Sequence, residues 1–484
     1  MKNGRIVLGV LLIAVLACGF AWASGADEGP GAAEGASKFK GEISMYSSGY
    51  TPNIDQGPNL PQLTQLAVLA DKYMEMYPGV KIEFIERPES DQDYQAWVVT
   101  QIAGGTIPDI IFGHATELEQ YAPEGWFVDW MPYLQQPNPY IPGNKQWYDI
   151  FGKKLVELRR SPDGALWSLP VCMVATIIYY NKDIFEEVGV SAPATWEEFL
   201  TVQRKLKDAG HTPLLFDMST SMHLSWSYRV AISHFYEDKM KDIDVLGAGP
   251  DDVVSAEEFA RAVKKGLIAA TDPEHKATLA LYPEWSNYWQ KGYLTKPAPG
   301  IFEQGKTAMW WHGIWQMVPL LSDPLIDFEI GTFYAPQITT ETSEYSTGEL
   351  MRMIGGASGE QWAITKTAID NDTVDLCVDW IHYLTVPDNI NAILEEAKKH
   401  APLIKGGDVL DMFAPFVDQA EAGVSPFIVE RFFSTQQRDE WFREFQLFMS
   451  GEYTVDTFAV KVDDIWNEAA DELIGKHEYS QAAW

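Results

Sequence analysis

The stretch Ile178–Gly210, IYYNKDIFEEVGVSAPATWEEFLTVQRKLKDAG, indicates the fold more clearly than any other part of the 484-residue chain. The apolar run Ile177–Tyr180 is typical of a buried strand. A short helix is expected after it, and Thr195 and Glu198 then form the capping-box pattern that starts a longer helix. Apolar residues recur on one face of that helix, and Gly210 is suited to end it in a left-handed conformation. A strand followed by two helices predicts α/β packing.

Segments nearer the amino terminus repeat this alternation. Lys38–Ser47 and Val80–Glu86 have the alternating pattern of strands, and the helix-like segment Leu63–Met76 lies between them. Asp109–Phe112 is a further apolar strand that opens into a loop at Gly113. A β-α-β order of this kind predicts a parallel, doubly wound sheet.

Length and charge narrow the classes of function. A chain of 484 residues is long enough for two or more domains, and its net charge is -33. A surface this acidic repels nucleic acids and anionic membranes, and it makes an anionic ligand less favourable. No serine-hydrolase, zinc-protease, phosphate-loop or zinc-ligand motif is present, so we expect neither an enzyme nor a cofactor. A glycosidase with paired carboxylates stays open on composition, because acidic residues are abundant.

The first residues have the pattern of an export signal. A basic start precedes the apolar run Ile6–Leu16, which is too short to span a bilayer. Two cleavage sites compete: Ala21-Trp22-Ala23 fits release as a soluble protein, and the segment ending at Cys18 resembles a lipobox with Cys18 as the lipidated residue. Bulky Leu16 fits the lipobox poorly, so we expect cleavage near Ala23. The Gly/Ala/Glu-rich residues 24–37 then form a flexible tether.

After removal of the signal, Cys172 and Cys377 are the cysteines that remain. An exported protein is able to pair them in a disulfide. Cys172 falls in a predicted strand and Cys377 on a predicted helix, so we expect buried free thiols instead.

Sequence blocks in order along the chain resemble the extracellular solute-binding proteins of family 1, which are the sugar-binding receptors of ABC importers. The segment quoted above matches their Y-N-K-x-x-F…T-W-x-E-F signature. Other blocks that resemble the family are GTIPDIIFGHATELEQYAPEGWFVDWMPYL at Gly105–Leu134, DGALWSLP at Asp163–Pro170, FEQGKTAMWWHGIW at Phe302–Trp315 and IGGASGEQWAITK at Ile354–Lys366.

The resemblance implies a two-lobe periplasmic-binding fold of the type II kind, with the ligand in the cleft between lobes joined by a hinge. Leu169–Met173 and Met351–Ile354 are the expected hinge strands. The implied organisation is a signal peptide at 1–23, a linker at 24–37, lobe 1 at 38–169 and 355–405, and lobe 2 at 170–354 and 406–484.

Aromatic residues of the block Phe302–Trp315 are the first candidates for ligand contacts. The tryptophan of this block commonly stacks on sugar in relatives, which makes Trp315 a candidate, with His312 beside it. Trp310 and Trp311 are neighbours in a predicted strand, so alternation lets only one of them line the cleft. We take Trp311 as that candidate.

Polar residues that follow predicted strands are candidates on the first lobe, since ligands bind at the carboxyl ends of strands in open α/β sheets. One set is Ser47, Ser48 and Tyr50, and another is His114, Thr116 and Glu117. Each set is also compatible with ordinary turn or helix-capping roles. Gly113 stands where some maltose-type relatives have an aromatic residue, and Val174 replaces an acidic contact, which argues against maltodextrin.

The remaining candidates come from the resemblance and from position. Asp217 follows a predicted strand, and Trp226 lies in the next helix. Arg438 and Trp441 lie where some relatives add a contact from the second lobe, and Gly356 lies at the expected hinge crossing.

The resemblance therefore implies an exported, monomeric receptor that binds a mono- or oligosaccharide and delivers it to ABC permease subunits. The alternatives are a receptor for another polyol or a sugar phosphate, and a secreted carbohydrate-active enzyme. The expected location is periplasmic or extracytoplasmic, either soluble or lipid-anchored.

Overall fold

The structure is a computed structural model. It describes residues 39–56, 59–86, 94–113, 118, 121–157, 159–161, 164–247, 254–349, 359–411, 413, 416 and 427–484. The export signal, Cys18 and the predicted tether lie outside these residues.

A first sheet is built from early strands and one late strand. Among the described residues its order is Val80–Phe84, Gly41–Tyr46, Ile110–Phe112, Gln361–Ile364 and Leu169–Pro170. The first three of these strands run parallel, as the sequence predicts. Gln361–Ile364 is antiparallel to both of its neighbours, a direction that the early β-α-β pattern did not predict. The periodicity of one strand sets which side chains are buried and carries no information on strand direction.

A second sheet is mainly antiparallel. Its order in the described chain is Leu214–Leu215, Met309–Gly313, Thr176–Asn181 and Ile330–Tyr334. Thr176–Asn181 runs antiparallel to the strands on either side of it. The connection to Met309–Gly313 is more than a hundred residues long, so that strand is free to enter the sheet from either end.

A short two-stranded ribbon includes the segment of chain that runs from the first sheet to the second. Cys172–Met173 pairs antiparallel with Ala401–Pro402. The Val171 amide next to it donates to the Glu360 carbonyl at 3.0 Å, and the Leu403 amide donates to the Val171 carbonyl at 3.1 Å. The predicted hinge strand Leu169–Met173 therefore belongs partly to the first sheet and partly to this ribbon. The other predicted hinge strand, 351–354, lies outside the described residues.

Helices cover both sheets. In the described ranges, the α-helices of eight or more residues are Gln65–Met76, Tyr94–Gly104, Trp196–Asp208, Met222–Ile243, Ala256–Lys264, Pro273–Trp285, Val374–Leu384, Pro387–Ala397, Thr435–Met449 and Val455–His477. Shorter α-helices are Met131–Leu134, Lys153–Glu157, Lys182–Val188, Met317–Ser322 and Lys366–Asp370.

The predicted capping box is present. The Thr195 hydroxyl accepts a hydrogen bond from the Glu198 amide, and the Glu198 carboxylate accepts from the Thr195 amide. Gly210 follows the helix with φ +94°. The strand at Ile177–Tyr180 and the short helix after it are confirmed as Thr176–Asn181 and Lys182–Val188.

Two large hydrophobic cores correspond to the two sheets. One core joins Ile43 and Ile110 of the first sheet to Trp380 of helix Val374–Leu384. The other joins Ile178 of the second sheet to the carboxyl-terminal helices Thr435–Met449 and Val455–His477, where Phe448 stacks on Phe458. The lobe boundaries themselves remain a prediction. Cys172 and Cys377 are both buried and unpaired, as expected.

None of the helices in the described ranges combines the length and the apolar character that a membrane span requires.

Candidate functional site

A buried carboxyl group lies beside the ends of two inner strands of the first sheet. Ser47 directly follows strand Gly41–Tyr46, and Glu360 directly precedes strand Gln361–Ile364. The Ser47 hydroxyl donates to Glu360 Oε1 at 2.6 Å, and the Trp362 indole N–H donates to the same oxygen at 2.8 Å. Glu360 is only 2% exposed. The two segments are far apart in sequence, so it is the antiparallel insertion of Gln361–Ile364 that brings them together.

Burial changes the protonation of this carboxyl group. Loss of hydration raises the pKa of Glu360 to about 8, against the opposing effects of the Ser47 and Trp362 hydrogen bonds and of the Lys399 charge. The side chain is therefore predominantly neutral at pH 7. The Lys399 ammonium is engaged elsewhere, since it donates to the Gly49 carbonyl at 3.1 Å and to the Gln56 side chain.

Tyr50 and His400 extend the same group of residues. The Tyr50 hydroxyl lies 2.7 Å from His400 Nδ1, within hydrogen-bond distance. Burial and the neighbouring Lys399 charge lower the pKa of His400 to about 3. Burial also raises the pKa of Tyr50 far above its ordinary value. Both partners are therefore neutral at physiological pH.

Aromatic rings surround a histidine near the end of an inner strand of the second sheet. Along strand Met309–Gly313, Trp310 and His312 are partly exposed, whereas the residue between them is buried. The His312 ring centroid lies 4.4 Å from that of Trp310, 5.6 Å from that of Trp315 and 6.0 Å from that of Trp226. The Nδ1 atom of His312 has no hydrogen-bond partner among the described residues.

A second histidine lies behind this ring. The Asp217 amide donates to His223 Nδ1 at 2.7 Å, which fixes the neutral tautomer with its hydrogen on Nε2. Burial lowers the pKa of His223 to about 4, and burial together with His223 lowers the pKa of His312 to about 3. Hydrogen-bonding groups here are thus uncharged imidazoles enclosed by apolar rings.

Trp315 lies between the residues of the first sheet and those of the second sheet described above. Its ring centroid lies 5.9 Å from that of Trp226 and 6.5 Å from that of His400, which is bonded to Tyr50 on the first-sheet side. We name the following residues the cleft group: Ser47, Tyr50, Asp217, His223, Trp226, Trp310, His312, Trp315, Glu360 and His400.

Among the sequence candidates, the structure brings six into this group: Ser47, Tyr50, Asp217, Trp226, His312 and Trp315. Their contact with a ligand stays a prediction. Trp226 is 8% exposed, so its ring mainly supports His312 and Trp315.

The structure places two other candidates in the core. Trp311 is 1% exposed and lines a small internal cavity with Ser227 and Trp285, because strand alternation points it away from His312. Trp441 is fully buried, and its ring centroid lies 5.2 Å from that of Tyr228. We therefore remove both from the candidate site, and Trp310 takes the place that the sequence analysis gave to Trp311.

The remaining candidates are not joined to the cleft group by the described contacts. Ser48 lies partly exposed in the turn after the first strand, with φ +39°. Arg438 lies partly exposed on helix Thr435–Met449. His114, Thr116, Glu117 and Gly356 lie outside the described residues.

Sequence reasoning missed Glu360, His400 and His223. Glu360 lies within the block Ile354–Lys366, where its place directly before an apolar strand was the available signal. His400 and His223 carry no comparable signal, because their roles depend on Tyr50 and Asp217, which are distant or on a separate element. In the described parts of the chain, no cluster of three or more potential metal ligands occurs.

Comparison with known proteins identifies the family and the fold. The family model described as bacterial extracellular solute-binding protein matches residues 57–389. A multiple sugar-binding protein of Streptococcus mutans is 24% identical over 244 residues, which are 49% of this chain and 51% of that protein. An sn-glycerol-3-phosphate-binding periplasmic protein of Brucella abortus is 32% identical over 97 residues, which are 19% of each chain. The chain thus spans about half or less of the length of these relatives.

Solved structures extend the likeness to most of the fold. A chitin oligosaccharide binding protein superposes with a TM-score of 0.65 at 18% identity, covering 89% of this chain and 99% of that one. The superposition shows that the two proteins share the two-lobe fold. The family model covers well over half of the chain. The chain belongs to the bacterial extracellular solute-binding proteins.

Proposed function

We propose that this protein is an extracytoplasmic receptor that binds a neutral carbohydrate between its two sheets and delivers it to the permease subunits of an ABC importer. The observation that carries the proposal is the composition of the cleft group. Its imidazoles and its Glu360 carboxyl group are predominantly uncharged at pH 7, and they lie beside the aromatic rings of Trp310 and Trp315.

Such a mixture suits the two faces of a sugar. Hydroxyl groups require fixed donors and acceptors, and the C–H face of a pyranose packs on an aromatic ring. The unpartnered His312 Nδ1 is the kind of group that a ligand hydroxyl satisfies, since a buried polar atom left without a partner costs free energy. The likeness to a sugar-binding protein supports the same class of ligand.

A sugar or polyol phosphate is the second candidate. The likeness to the glycerol-phosphate-binding protein of Brucella abortus favours it. Recognition of phosphate generally uses arginine forks or free ammonium groups. Among the described residues, the cation next to the cleft group is Lys399, which already donates to Gly49 and Gln56. We therefore place the neutral ligand first.

Export and partners follow from the family and from the first residues. We propose a monomer that does not bind nucleic acid and that is cleaved near Ala23 without lipidation of Cys18. Intact-mass analysis of the natively processed protein tests this, and a mass that includes acyl chains on Cys18 would establish the lipid-anchored form. We further propose that it is not an enzyme. Incubation with oligosaccharides followed by product analysis tests that, and release of shorter sugars would contradict it.

Binding is tested first by a thermal-shift panel of maltose, raffinose, xylobiose, galactose, erythritol and glycerol 3-phosphate. A sugar present at 100 times its Kd stabilises the folded state by about 2.7 kcal/mol. The neutral panel member with the largest shift, here called the panel sugar, then enters calorimetry. Stabilisation by glycerol 3-phosphate alone would favour the second candidate, and no stabilisation by any member would argue against both.

Calorimetry compares Trp315→Ala with Trp484→Ala. Loss of an aromatic platform costs on the order of 1 kcal/mol or more, so we expect Trp315→Ala to weaken binding of the panel sugar at least fivefold. Trp484 bonds to Glu257 at the carboxyl terminus and serves as the matched control. Equal affinities of the two folded variants would remove Trp315 from the site.

A further inference from the structure

We propose that Glu360 is a ligand-binding residue that acts as a hydrogen-bond donor, presenting the hydroxyl of a neutral carboxylic acid to an oxygen atom of the bound carbohydrate. The inference rests on the proposed function and names one determinant of its specificity. Neither the family resemblance nor the sequence candidates assign a role to this residue.

The hydrogen bonds of Glu360 divide its two oxygens. Oε1 accepts from the Ser47 hydroxyl at 2.6 Å and from the Trp362 indole at 2.8 Å. The indole N–H is shared with Ser47 Oγ at 3.0 Å. The described residues provide no hydrogen bond to Oε2. An acid group in this setting keeps its proton on Oε2, because both donors already point at Oε1.

The surroundings favour the neutral form. Glu360 is 2% exposed and forms no salt bridge with a described residue. A buried carboxylate without a paired cation is costly, so the group retains its proton to a higher pH. Burial accordingly raises its pKa to about 8.

Other titratable groups that face Glu360 do not change charge in the same range. Burial raises the pKa of Cys172 and of Tyr50 well above their ordinary values, and the pKa of His400 is lowered to about 3. Lys399 contributes a positive charge that opposes the rise at Glu360. Among these shifted pKa values, that of Glu360 alone lies between pH 7 and pH 9.

The position of Glu360 makes it a candidate for ligand contact. It lies where Ser47 follows strand Gly41–Tyr46, and Tyr50 of the next turn is hydrogen-bonded to His400, whose ring lies near Trp315. A carbohydrate that stacks on Trp315 and reaches Ser47 would therefore lie next to Glu360, because Glu360 and Ser47 are hydrogen-bonded. Hydroxyl and ring oxygens both accept hydrogen bonds, so a donor at this point suits a neutral sugar.

The wild-type protein provides the first test. If the acid form is required, the Kd of the panel sugar should rise about tenfold between pH 7 and pH 9, since the bound state holds a proton that the free protein loses. Calorimetry in buffers of different ionisation enthalpy should also detect uptake of about half a proton per sugar near pH 8. A Kd that stays constant from pH 7 to pH 9, with no proton uptake, overturns the proposal even when the sugar binds.

Glu360→Gln provides the second test. The amide keeps a donor but cannot ionise, so its binding should be several-fold weaker at pH 7 and should lose the dependence on pH. Glu75→Gln, at an exposed position of helix Gln65–Met76, controls for the loss of one negative charge and should retain the wild-type profile. A profile in Glu360→Gln that still follows the wild type would assign the proton to another group. Absence of binding by any panel sugar is a separate result that contradicts the proposed function itself.

Discussion

The Trp315 indole lies directly against the α-carbon of Gly313. A Cβ atom built on Gly313 would lie 2.0 Å from Cζ3 of Trp315, far inside van der Waals contact. The backbone of Gly313 has φ -79° and ψ 157°, which any residue adopts. The requirement for glycine is therefore steric, and it is set by the ring that we propose as the sugar platform.

Gly313→Ala should displace the Trp315 ring and weaken binding of the panel sugar by about fivefold or more, the value expected for a lost stacking platform. The added methyl group should also cost about 1–3 kcal/mol of stability through overpacking. Calorimetry measures the first effect, and tryptophan fluorescence reports the moved ring.

Gly475→Ala is the matched control for this substitution. No atom lies within 4 Å of a Cβ built at Gly475, which lies within helix Val455–His477. Alanine favours helix by about 1 kcal/mol over glycine, so this variant should bind normally and be equally or more stable. Unaltered binding and fluorescence in Gly313→Ala would show that the ring adjusts without loss.

Replacement of Glu360 by glutamine should stabilise the protein increasingly as the pH rises from 4.5 to 8. The folded pKa is raised from 4.5 to about 8, so the wild-type fold is favoured below pH 4.5 and loses stability as the unfolded chain ionises. The difference between the two proteins should grow by about 1.4 kcal/mol per pH unit in this window and then level off. Urea denaturation at pH 5 and at pH 8 measures it, and an equal difference at both values would contradict the raised pKa.

Binding of sugar should bring the two sheets closer by bending at the segments that join them. Cys172 of the short ribbon Cys172–Met173 packs closely against Gly359, because a Cβ atom built on Gly359 would lie 2.9 Å from the Cys172 Cβ. A ligand shifts this equilibrium only if it contacts both sides. Small-angle scattering should therefore show a smaller radius of gyration with saturating panel sugar, and Trp315→Ala at the same sugar concentration should show less change. An identical radius with and without sugar in the wild type would refute closure.

Removal of the capping hydroxyl in Thr195→Ala should cost about 1 kcal/mol of stability, because the Glu198 amide loses its acceptor. Lys205→Ala on the exposed face of the same helix should change stability by less than about 0.5 kcal/mol. Thermal denaturation of both variants checks this pair. A Thr195→Ala protein as stable as Lys205→Ala would mean that solvent replaces the cap.

Local patterns in the sequence predicted the elements well and their assembly less well. The capping box at Thr195 and the strand at Ile177–Tyr180 depend on neighbouring residues, so they appear as predicted. The direction of strand Gln361–Ile364 depends on distant parts of the chain, and its antiparallel pairing was not anticipated.

The site shows the same division. Trp315 and His312 were found because they share one short block with a recognisable pattern. The choice between Trp310 and Trp311 required knowledge of which face of strand Met309–Gly313 is buried, and the predicted residue, Trp311, lies on the buried face. Glu360 was missed because its significance comes from Ser47, more than three hundred residues earlier.

The late strand of the first sheet also has a consequence for folding. Trp362 pairs with Phe112, so closing this part of the sheet joins residues 250 positions apart. Contacts of such long range slow folding, because a large loop must be ordered before the pairing stabilises it. Strands Gly41–Tyr46 and Ile110–Phe112 are synthesised early. The side of Ile110–Phe112 that pairs with Gln361–Ile364 stays unpaired until that later strand is made. The first sheet should therefore stay incomplete until the late strand has been synthesised, whereas its three early strands can already pair with one another.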